Sequence, residues 1–345
     1  GVDGVRIDSV AVVMKDPTLA DYDPANPPFP HPYEDRDEVH PIYQGWRMVA
    51  DSFDEPKALI GEIWLPDNDR FALYLRPNEM HTAFNFDFLA SAWDATEFRR
   101  TIDATLAAHA PVGAPATWVL SNHDVTRHVT RYGRADTTFN HDPAHRQSQH
   151  GSFSDFALGT RRARAAVLLS FALPGSVYVY QGEELGLGEV EDIPDSARQD
   201  PMFARSGGAN PGRDGSRVPL PWSGEAPPFG FSPDGATGQP WLPQPAAWRD
   251  FTAATQSGDS SSMLELYRSA LRIRHIQAGL GDGPMTWLDA PADVLAFSRP
   301  GGFMCVANLS DVAVALPEHD EILLSSGPLC DGLLPTDSAV WLRTA

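Results

Sequence analysis

The chain has 345 residues, which is enough for a large core and more than one domain. Its 26 basic and 46 acidic residues give a formal net charge of −20. This charge argues against nucleic acid as a partner, because phosphate binding needs basic patches, and against anionic membrane surfaces. No apolar run approaches the length of a membrane span. The two cysteines, Cys305 and Cys330, fit neither a disulfide framework nor a zinc site. The alternatives are a single bridge between them and two buried free thiols; we expect the free thiols, which favour a cytoplasmic location.

The first predicted element, residues 4–8 (Gly-Val-Arg-Ile-Asp), is the end of a buried β-strand. Arg6 and Asp8 lie two residues apart, so they share one face of that strand. Two later apolar segments have the same design, and they end in Glu62 and Asp124. Their short, continuous apolar runs are typical of strands buried on both faces of a parallel sheet. Three carboxylates at the ends of three strands predict one catalytic cleft.

Segments with helical spacing separate these strands. Residues 97–110 place Phe98 and Ile102 on one helix face, and the alanine-rich residues 161–173 predict a helix that leads into a strand at 176–180. Alternation of strand and helix predicts a parallel α/β sheet. In a (β/α)8 barrel the functional residues lie at the carboxyl ends of the strands, which is where the three acids fall.

Two polar regions follow. Residues 136–154 predict a long loop, and the spacing of its histidines matches no metal site, so we predict no metal there. These histidines are His141, His145 and His150. Residues 190–245 are rich in glycine and proline and carry four aromatic residues, which either anchor a long loop to the barrel or, if the protein binds a sugar, stack on its aglycone. The four are Trp222, Phe229, Phe231 and Trp241.

The last part of the chain changes character. Residues 263–276 predict a helix that a serine at 260–262 caps. From residue 282 onward, short apolar runs separated by turn residues predict a small antiparallel β domain. The predicted strands are 294–298, 303–309, 312–316, 321–324 and 339–342. The chain therefore divides into residues 1–281, with the barrel strands, and residues 282–345, a β-sandwich-like domain.

Retaining glycoside hydrolysis is the chemistry that needs three such acids. One carboxylate attacks the anomeric carbon, and a second donates a proton to the leaving oxygen and later deprotonates water. A third holds sugar hydroxyls and stabilises the cationic transition state. A single acid at a strand end is more often a helix cap or a salt-bridge partner. The prediction therefore rests on the three strand-end segments together and not on any one acid.

These three segments resemble motifs of glycoside hydrolase family 13, the α-amylase superfamily. Residues 1–8 resemble the motif of the fourth barrel strand, which implies that Asp8 is the nucleophile and that Arg6 contacts it. Residues 61–64, Gly-Glu-Ile-Trp, resemble the motif of the fifth strand, which implies that Glu62 is the general acid/base.

Residues 121–124, Ser-Asn-His-Asp, resemble the seventh-strand motif of the same family, whose His and Asp bind the sugar. This resemblance implies that Asp124 is the third catalytic acid. Further stretches resemble α-glucosidases and oligo-1,6-glucosidases more than endo-acting α-amylases; they are residues 81–88, 180–186 and 213–222. The substrate-binding residues that the resemblance implies are Arg6, His123, Asn122, Phe86 and Arg217.

The resemblance also implies what precedes Gly1. In the family the barrel begins well before its nucleophile, so we expect this chain to be a C-terminal portion, from about the fourth barrel strand onward. Its expected partner is the missing N-terminal half of the barrel, and residues 1–281 are then the C-terminal part of the catalytic (β/α)8 barrel. The family implies no required cofactor. A structural calcium ion is compatible with it, but the region that usually binds calcium is not in this chain.

The predicted function is a retaining α-glucosidase that hydrolyses terminal α-glucosidic bonds of malto- or isomalto-oligosaccharides, or of small α-glucosides. One alternative is a transglycosylase or isomerase of the same family that acts on sucrose or trehalose. Another is a non-catalytic or truncated, inactive chain. The presence of all three acids argues against a non-catalytic protein.

Overall fold

The structure is a computed structural model, and it describes residues 1–140, 142–233 and 235–344. The residues group into two compact units. The first unit comprises residues 1–88 and 100–118, and the second comprises residues 89–99 and 119–345. The domain boundary between residues 281 and 282 stays a prediction.

A parallel sheet in the first unit positions two of the predicted acids. Its strands are β1 (Gly4–Ile7), β2 (Ala58–Gly61) and β3 (Thr82–Ala83), in that order. The segments predicted as the first two strands are therefore strands. Because β1 and β2 are parallel, their carboxyl ends lie at the same edge of the sheet, which Asp8 and Glu62 directly follow. β1 is an edge strand of this sheet and Val5 is exposed, so the expectation that β1 is buried is wrong.

Two helices pack beside this sheet, α1 (His40–Asp51) and α2 (Asn68–Leu73). Asp67 caps α2, since its Oδ1 accepts hydrogen bonds from the backbone N–H groups of Asp69 and Arg70. Tyr43 of α1 is fully buried and donates its hydroxyl to the carbonyl of Val10 at 2.7 Å. This bond fixes the backbone just after Asp8, so α1 holds the turn that follows the first strand.

Three elements continue from one unit into the other along the chain. They are α3 (Phe86–Ala90), α4 (Ala95–His109) and β4 (Thr117–Val119). α4 confirms the helix predicted at 97–110, and its residues Phe98 and Ile102 are fully buried. β4 confirms the strand that precedes Asp124. The limits of α4 lie within two residues of the predicted ones, which is the usual uncertainty of such boundaries, whereas α3 was not predicted.

Before residue 280, the second unit consists of helices joined by long irregular segments. It contains α5 (His128–Tyr132), α6 (Pro143–Gln149), α7 (Phe156–Ala172), β5 (Ser176–Tyr178), α8 (Pro201–Arg205), α9 (Ala253–Gln256) and α10 (Met263–Ile276). α10 has the predicted limits, and Ser262 caps it by accepting a hydrogen bond from the backbone N–H of Glu265 at 3.2 Å. Among the described residues, no helix is both long and apolar enough to cross a membrane.

The region 136–154 differs from the predicted loop, because it contains α6. Asp142 caps this helix by accepting the backbone N–H of Ala144 at 2.8 Å. An aspartate just before a helix is a common start signal, and the polar composition of the region hid it. α7 also begins five residues before its predicted start, at Phe156, where Asp155 accepts the backbone N–H of Leu158.

The C-terminal segment forms an antiparallel sheet, as predicted. Its strands are β6 (Thr286–Trp287), β7 (Val294–Arg299), β8 (Phe303–Asn308), β9 (Glu321–Ser325) and β10 (Ser338–Arg343), in the order β6-β7-β8-β10-β9. The predicted strand at 312–316 is wrong: the structure has there an isolated bridge between Val314 and Leu334. The part of the chain that the structure describes shows one sheet here rather than two packed sheets.

One face of this sheet packs on α7. Trp341 of β10 is fully buried and donates its indole N–H to the carbonyl of Leu168 at 2.9 Å. Cys305 of β8 is buried on the same face, with its sulfur 3.8 Å from that carbonyl. Both cysteines are free, as expected, but Cys330 is exposed, so the expectation of two buried thiols is wrong for it. It lies in a bridge just outside the strands, where the sheet provides no cover.

The carboxyl group of Glu183 is buried in the second unit, and within the described residues it has no direct ion pair. Glu183 accepts the hydroxyl of Tyr267 at 3.0 Å and the backbone N–H of Tyr180 at 2.8 Å. Burial raises the pKa of Glu183 to about 8, although these hydrogen bonds act in the opposite direction. The folded chain therefore binds a proton at neutral pH that the unfolded chain releases near pH 4.

Replacement of Glu183 by glutamine is expected to make stability less dependent on pH. In the native protein this group stabilises the fold fully below about pH 4, and its contribution is lost as the pH rises towards 8, by up to about 1.4 kcal/mol per pH unit. Glu183→Gln carries no proton to lose. Urea unfolding at pH 5 and pH 8 should show a smaller difference in the free energy of unfolding than in the parent. Glu225→Gln, on an exposed glutamate of the same unit, should keep the parent difference; an unchanged difference in Glu183→Gln would contradict the assignment.

Candidate active site

In the first unit, one arginine contacts both predicted acids. Arg6 Nη1 donates to Asp8 Oδ1 at 2.6 Å, and Arg6 Nη2 lies 3.6 Å from Glu62 Oε2. The side chain of Asp8 is 72% exposed, whereas that of Glu62 is 8% exposed. One guanidinium therefore spans an open carboxylate and a buried one at the same edge of the sheet.

Ser9 makes the turn that joins these groups. Its backbone is in the left-handed region, with φ 50° and ψ 45°, which is uncommon for a residue other than glycine. In this conformation its N–H donates to Glu62 Oε2 at 2.7 Å, and its hydroxyl donates to Asp8 Oδ2 at 3.2 Å. Unfavourable backbone conformations of this kind cluster at functional sites, where the surroundings enforce them.

The second oxygen of Glu62 is held by an aromatic pair. Trp64 donates its indole N–H to Glu62 Oε1 at 2.6 Å. Its ring stacks on Phe86 with ring centroids 3.7 Å apart and planes 4° apart. Phe86, a predicted substrate-binding residue, is buried, and it lies against Trp64. The structure thus gives Phe86 a supporting place next to the tryptophan that orients Glu62.

In the second unit, the residues after β4 form a tight turn. Asn122 accepts the backbone N–H of Asp124 through its side-chain oxygen at 2.8 Å. His123 Nε2 lies 3.3 Å from Asp124 Oδ2, and its side chain is 45% exposed. Asn122 therefore shapes the backbone that presents His123 and Asp124, and substrate binding by these residues stays a prediction.

Three arginines surround Asp124. Arg217 donates through Nη2 to Asp124 Oδ1 at 3.0 Å and through Nε to the carbonyl of His123 at 2.8 Å. Arg213 Nη1 donates to the same Oδ1 at 2.7 Å, and Arg146 donates to the backbone carbonyl of Asp124 at 2.7 Å. Arg217 was predicted from the sequence. Arg213 lies in the same motif four residues earlier and was given no role, while nothing in the sequence pointed to Arg146.

The predicted site residues are thus grouped by unit. The first unit holds Arg6, Asp8, Glu62 and Phe86, and the second holds Asn122, His123, Asp124 and Arg217. In each unit the predicted residues contact one another or a shared neighbour. The first group offers an open carboxylate and a buried one joined by an arginine. The second offers a carboxylate held by arginines beside a half-exposed imidazole.

Two histidines of region 136–154 lie near carboxylates. His145 lies 3.8 Å from Asp136, and His150 lies 3.4 Å from Glu191. His141 lies outside the described residues. Among the residues that the structure does describe, no group of three or more His, Cys, Asp or Glu side chains is arranged to hold a metal ion.

The four aromatic residues of region 190–245 differ in burial. Phe229 is fully buried and anchors the segment, while Trp222, Phe231 and Trp241 are exposed.

Known proteins are similar to this chain in both sequence and fold. The family model described as "Alpha amylase, catalytic domain" matches residues 1–283. The chain is 31% identical over 340 residues to a probable alpha-glucosidase of Rhizobium meliloti, covering 91% of this chain and 56% of that protein. It is 24% identical to an oligo-1,6-glucosidase of Heyndrickxia coagulans, covering 93% of this chain and 60% of that protein.

The chain is also similar to the solved structure of an alpha-glucosyl transfer enzyme, XgtA. The TM-score is 0.78 at 29% identity, covering all of this chain and 64% of that one. The class of fold that this similarity defines is the TIM barrel. Within it, the chain belongs to the α-amylase family, glycoside hydrolase family 13. It spans about half the length of the curated relatives that it matches.

Proposed function

We propose that the protein carrying this chain is a retaining α-glucosidase, which removes terminal α-glucosyl units from malto- or isomalto-oligosaccharides or small α-glucosides. The observation that carries the proposal is the position of Arg6 between Asp8 and Glu62. A retaining mechanism needs two carboxyl groups about 5–5.5 Å apart, and an inverting one needs a wider gap. Contact of both acids with one guanidinium favours the shorter separation.

The first half-reaction uses both carboxyl groups. Asp8 is exposed and hydrogen-bonded to a cation, so its carboxylate attacks the anomeric carbon of the glucoside. The bond from that carbon to the leaving oxygen breaks as Glu62 transfers its proton to the oxygen. The products of this step are a free alcohol and a β-glucosyl ester of Asp8.

The second half-reaction reverses the roles. Glu62, now ionised, takes a proton from water, and the oxygen of that water attacks the anomeric carbon. The bond to Asp8 breaks, and glucose leaves with its α configuration. Trp64 and the N–H of Ser9 each bond one oxygen of Glu62, and this holds the carboxyl group in one orientation through both steps. Asp124 serves as the third acid, which binds sugar hydroxyls as the ring approaches the cationic transition state.

The proposal is tested by trapping the ester. The full-length protein that carries this chain is incubated with 5-fluoro-α-glucosyl fluoride, whose ring fluorine slows both steps and whose fluoride leaves readily. Mass spectrometry of peptides should then show one fluorohexosyl group on Asp8. Proton NMR should show α-glucose as the first sugar released from an aryl α-glucoside. Release of β-glucose, or an adduct on another residue, would contradict the mechanism.

A second candidate is glucosyl transfer to a sugar instead of water. One observation favours it: the 29% identical solved structure is described as an alpha-glucosyl transfer enzyme. The two activities share the ester on Asp8 and differ in what accepts the glucosyl group. Chromatography of the products at high substrate concentration separates them, because transfer yields new glucosides and hydrolysis yields free glucose. If the full-length protein gives neither product nor adduct, the inactive alternative holds.

A further inference from the structure

A fourth carboxylate lies behind the arginines that surround Asp124. Asp200 directly precedes α8, and its side chain has no solvent exposure. Its Oδ2 accepts the Nε–H of Arg213 at 2.6 Å and the backbone N–H of the same arginine at 2.8 Å. Its Oδ1 accepts Arg213 Nη2 at 3.0 Å and the backbone N–H of Met202 at 3.1 Å. Asp200 thus holds Arg213 by two parallel side-chain hydrogen bonds, the geometry that best orients a guanidinium.

Arg213 is shared between two carboxylates. The edge formed by Nε and Nη2 faces Asp200, and Nη1 points the other way, to Asp124 Oδ1 at 2.7 Å. A guanidinium is planar and rigid, so fixing one edge fixes the direction of the remaining nitrogen. The position of Arg213 against Asp124 therefore depends on Asp200.

The backbone around this pair is also fixed. Asp214 Oδ2 accepts the backbone N–H groups of Gln199 and Asp200, at 2.6 and 3.0 Å. Gly212 has φ 76°, and a Cβ atom there would lie 2.8 Å from the Cβ of Asp200. The two segments therefore pack closely because residue 212 has no side chain. This packing brings Asp200 and Arg213 together although 12 residues separate them.

The charges of the pair are mutually stabilised. Burial alone would raise the pKa of Asp200, but the hydrogen bonds and charge of Arg213 outweigh it and hold that pKa below its usual range. The hydrogen bonds of Asp200 in turn raise the pKa of Arg213. Asp200 is therefore an anion throughout the pH range in which a glucosidase works.

We propose that Asp200 is a positioning residue for the glucosidase reaction, which orients Arg213 and, through it, sets the carboxylate of Asp124 against the sugar hydroxyls. The inference rests on the proposed function. It assigns a task to a buried carboxylate that touches neither Asp124 nor a solvent-facing surface. A purely structural ion pair is the alternative, and it predicts a loss of stability with no specific effect on substrate.

The test compares Asp200→Asn with Asp195→Asn in the full-length protein. Asp195 lies five residues earlier, is 82% exposed and is 3.5 Å from Arg198, so its loss should leave activity unchanged. Asp200→Asn keeps the size of the side chain but removes the charge and one of the two acceptors. We expect kcat/KM for 4-nitrophenyl α-glucoside to fall about 10- to 100-fold, since a misplaced group of about 1 Å has effects of this size.

A double-mutant cycle separates positioning from structure. Arg213→Lys keeps the charge but cannot bridge two carboxylates, so it should lower kcat/KM about as much as Asp200→Asn. Because Asp200 acts through Arg213, the double variant should be no worse than Arg213→Lys alone. Multiplied losses in the double variant would overturn the proposal. If Asp200→Asn does not fold, Arg213→Lys against the parent still decides it, because unchanged kcat/KM there would overturn the proposal too.

A binding measurement distinguishes this proposal from the proposed function. Calorimetry with 1-deoxynojirimycin, a glucose-shaped iminosugar, needs no turnover. We expect Kd to rise about tenfold in Asp200→Asn and not in Asp195→Asn. Turnover and binding in the parent with an unchanged Kd and kcat/KM in Asp200→Asn would overturn only the role of Asp200. A parent that neither binds the iminosugar nor cleaves the glucoside would overturn the proposed function, and the role of Asp200 with it.

Discussion

Asp8→Asn is expected to lower kcat/KM for 4-nitrophenyl α-glucoside by a factor of at least about 10⁴ in the full-length protein. The amide is neutral and too weak a nucleophile to displace the leaving group, so no glucosyl ester forms. The fold should survive, because Asp8 is 72% exposed and its bond to Arg6 is close to the surface. Ion pairs of this kind contribute about 0–1 kcal/mol. The change in unfolding temperature should therefore be small beside the loss of activity.

Two further measurements make this prediction specific. Asp3→Asn is the matched control, because Asp3 is fully exposed, lies five residues earlier and is 4.0 Å from its partner Lys57; it should keep parent activity. Asp8→Gly supplied with azide should regain turnover, since the small anion can occupy the space of the lost carboxylate. Azide then attacks from the side of the missing nucleophile, so the product is the β-glucosyl azide. Retention of more than a few per cent of activity in Asp8→Asn, or an α product with azide, would refute the nucleophile assignment.

The positions of the first-unit acids could be predicted because they depend on local patterns. A short apolar run before Glu62 predicts a strand, and the residue after a parallel strand lies at the edge of the sheet where ligands bind. Arg6 lies on β1 and Asp8 directly follows the strand, so the two-residue period of an extended chain predicts that they share a face. The helix α10 was predicted with its limits for the same reason, since Ser262 and the apolar spacing are both local signals.

The residues that contact and orient the predicted acids could not be predicted, because most of them are distant in the sequence. Asp124 contacts Arg213, 89 residues away in the chain, and only the packing of a segment without helical or strand period brings them together. The left-handed turn at Ser9 has no signal in the sequence, as serine rarely adopts that conformation. The bridge between Val314 and Leu334 replaced a predicted strand, because strand pairing depends on the partner as well as on the apolar run.

Glu62→Gln is the second variant with a large expected effect, and its size should depend on the leaving group. With maltose, whose leaving oxygen must be protonated, we expect kcat/KM to fall about 10²- to 10⁴-fold. With 4-nitrophenyl α-glucoside the first step needs little protonation, so the loss of kcat/KM should be far smaller. Trp64 and Ser9 each donate a hydrogen bond to a different oxygen of Glu62, so the amide group of glutamine also loses one of these two contacts.

Azide also tests the role of Glu62, because its product should have the opposite anomeric configuration to the product from Asp8→Gly. In Glu62→Ala, the ester on Asp8 forms from the activated aryl glucoside, and azide then attacks it in place of water, because azide needs no general base. This attack comes from the face that water uses, so the product is the α-glucosyl azide, whereas Asp8→Gly gives the β form. Glu55→Gln, on a glutamate that is 90% exposed, serves as the control and should match the parent. Equal losses of kcat/KM for maltose and for the aryl glucoside in Glu62→Gln would show that Glu62 is not the proton donor, since removal of a donor must harm the poorer leaving group more.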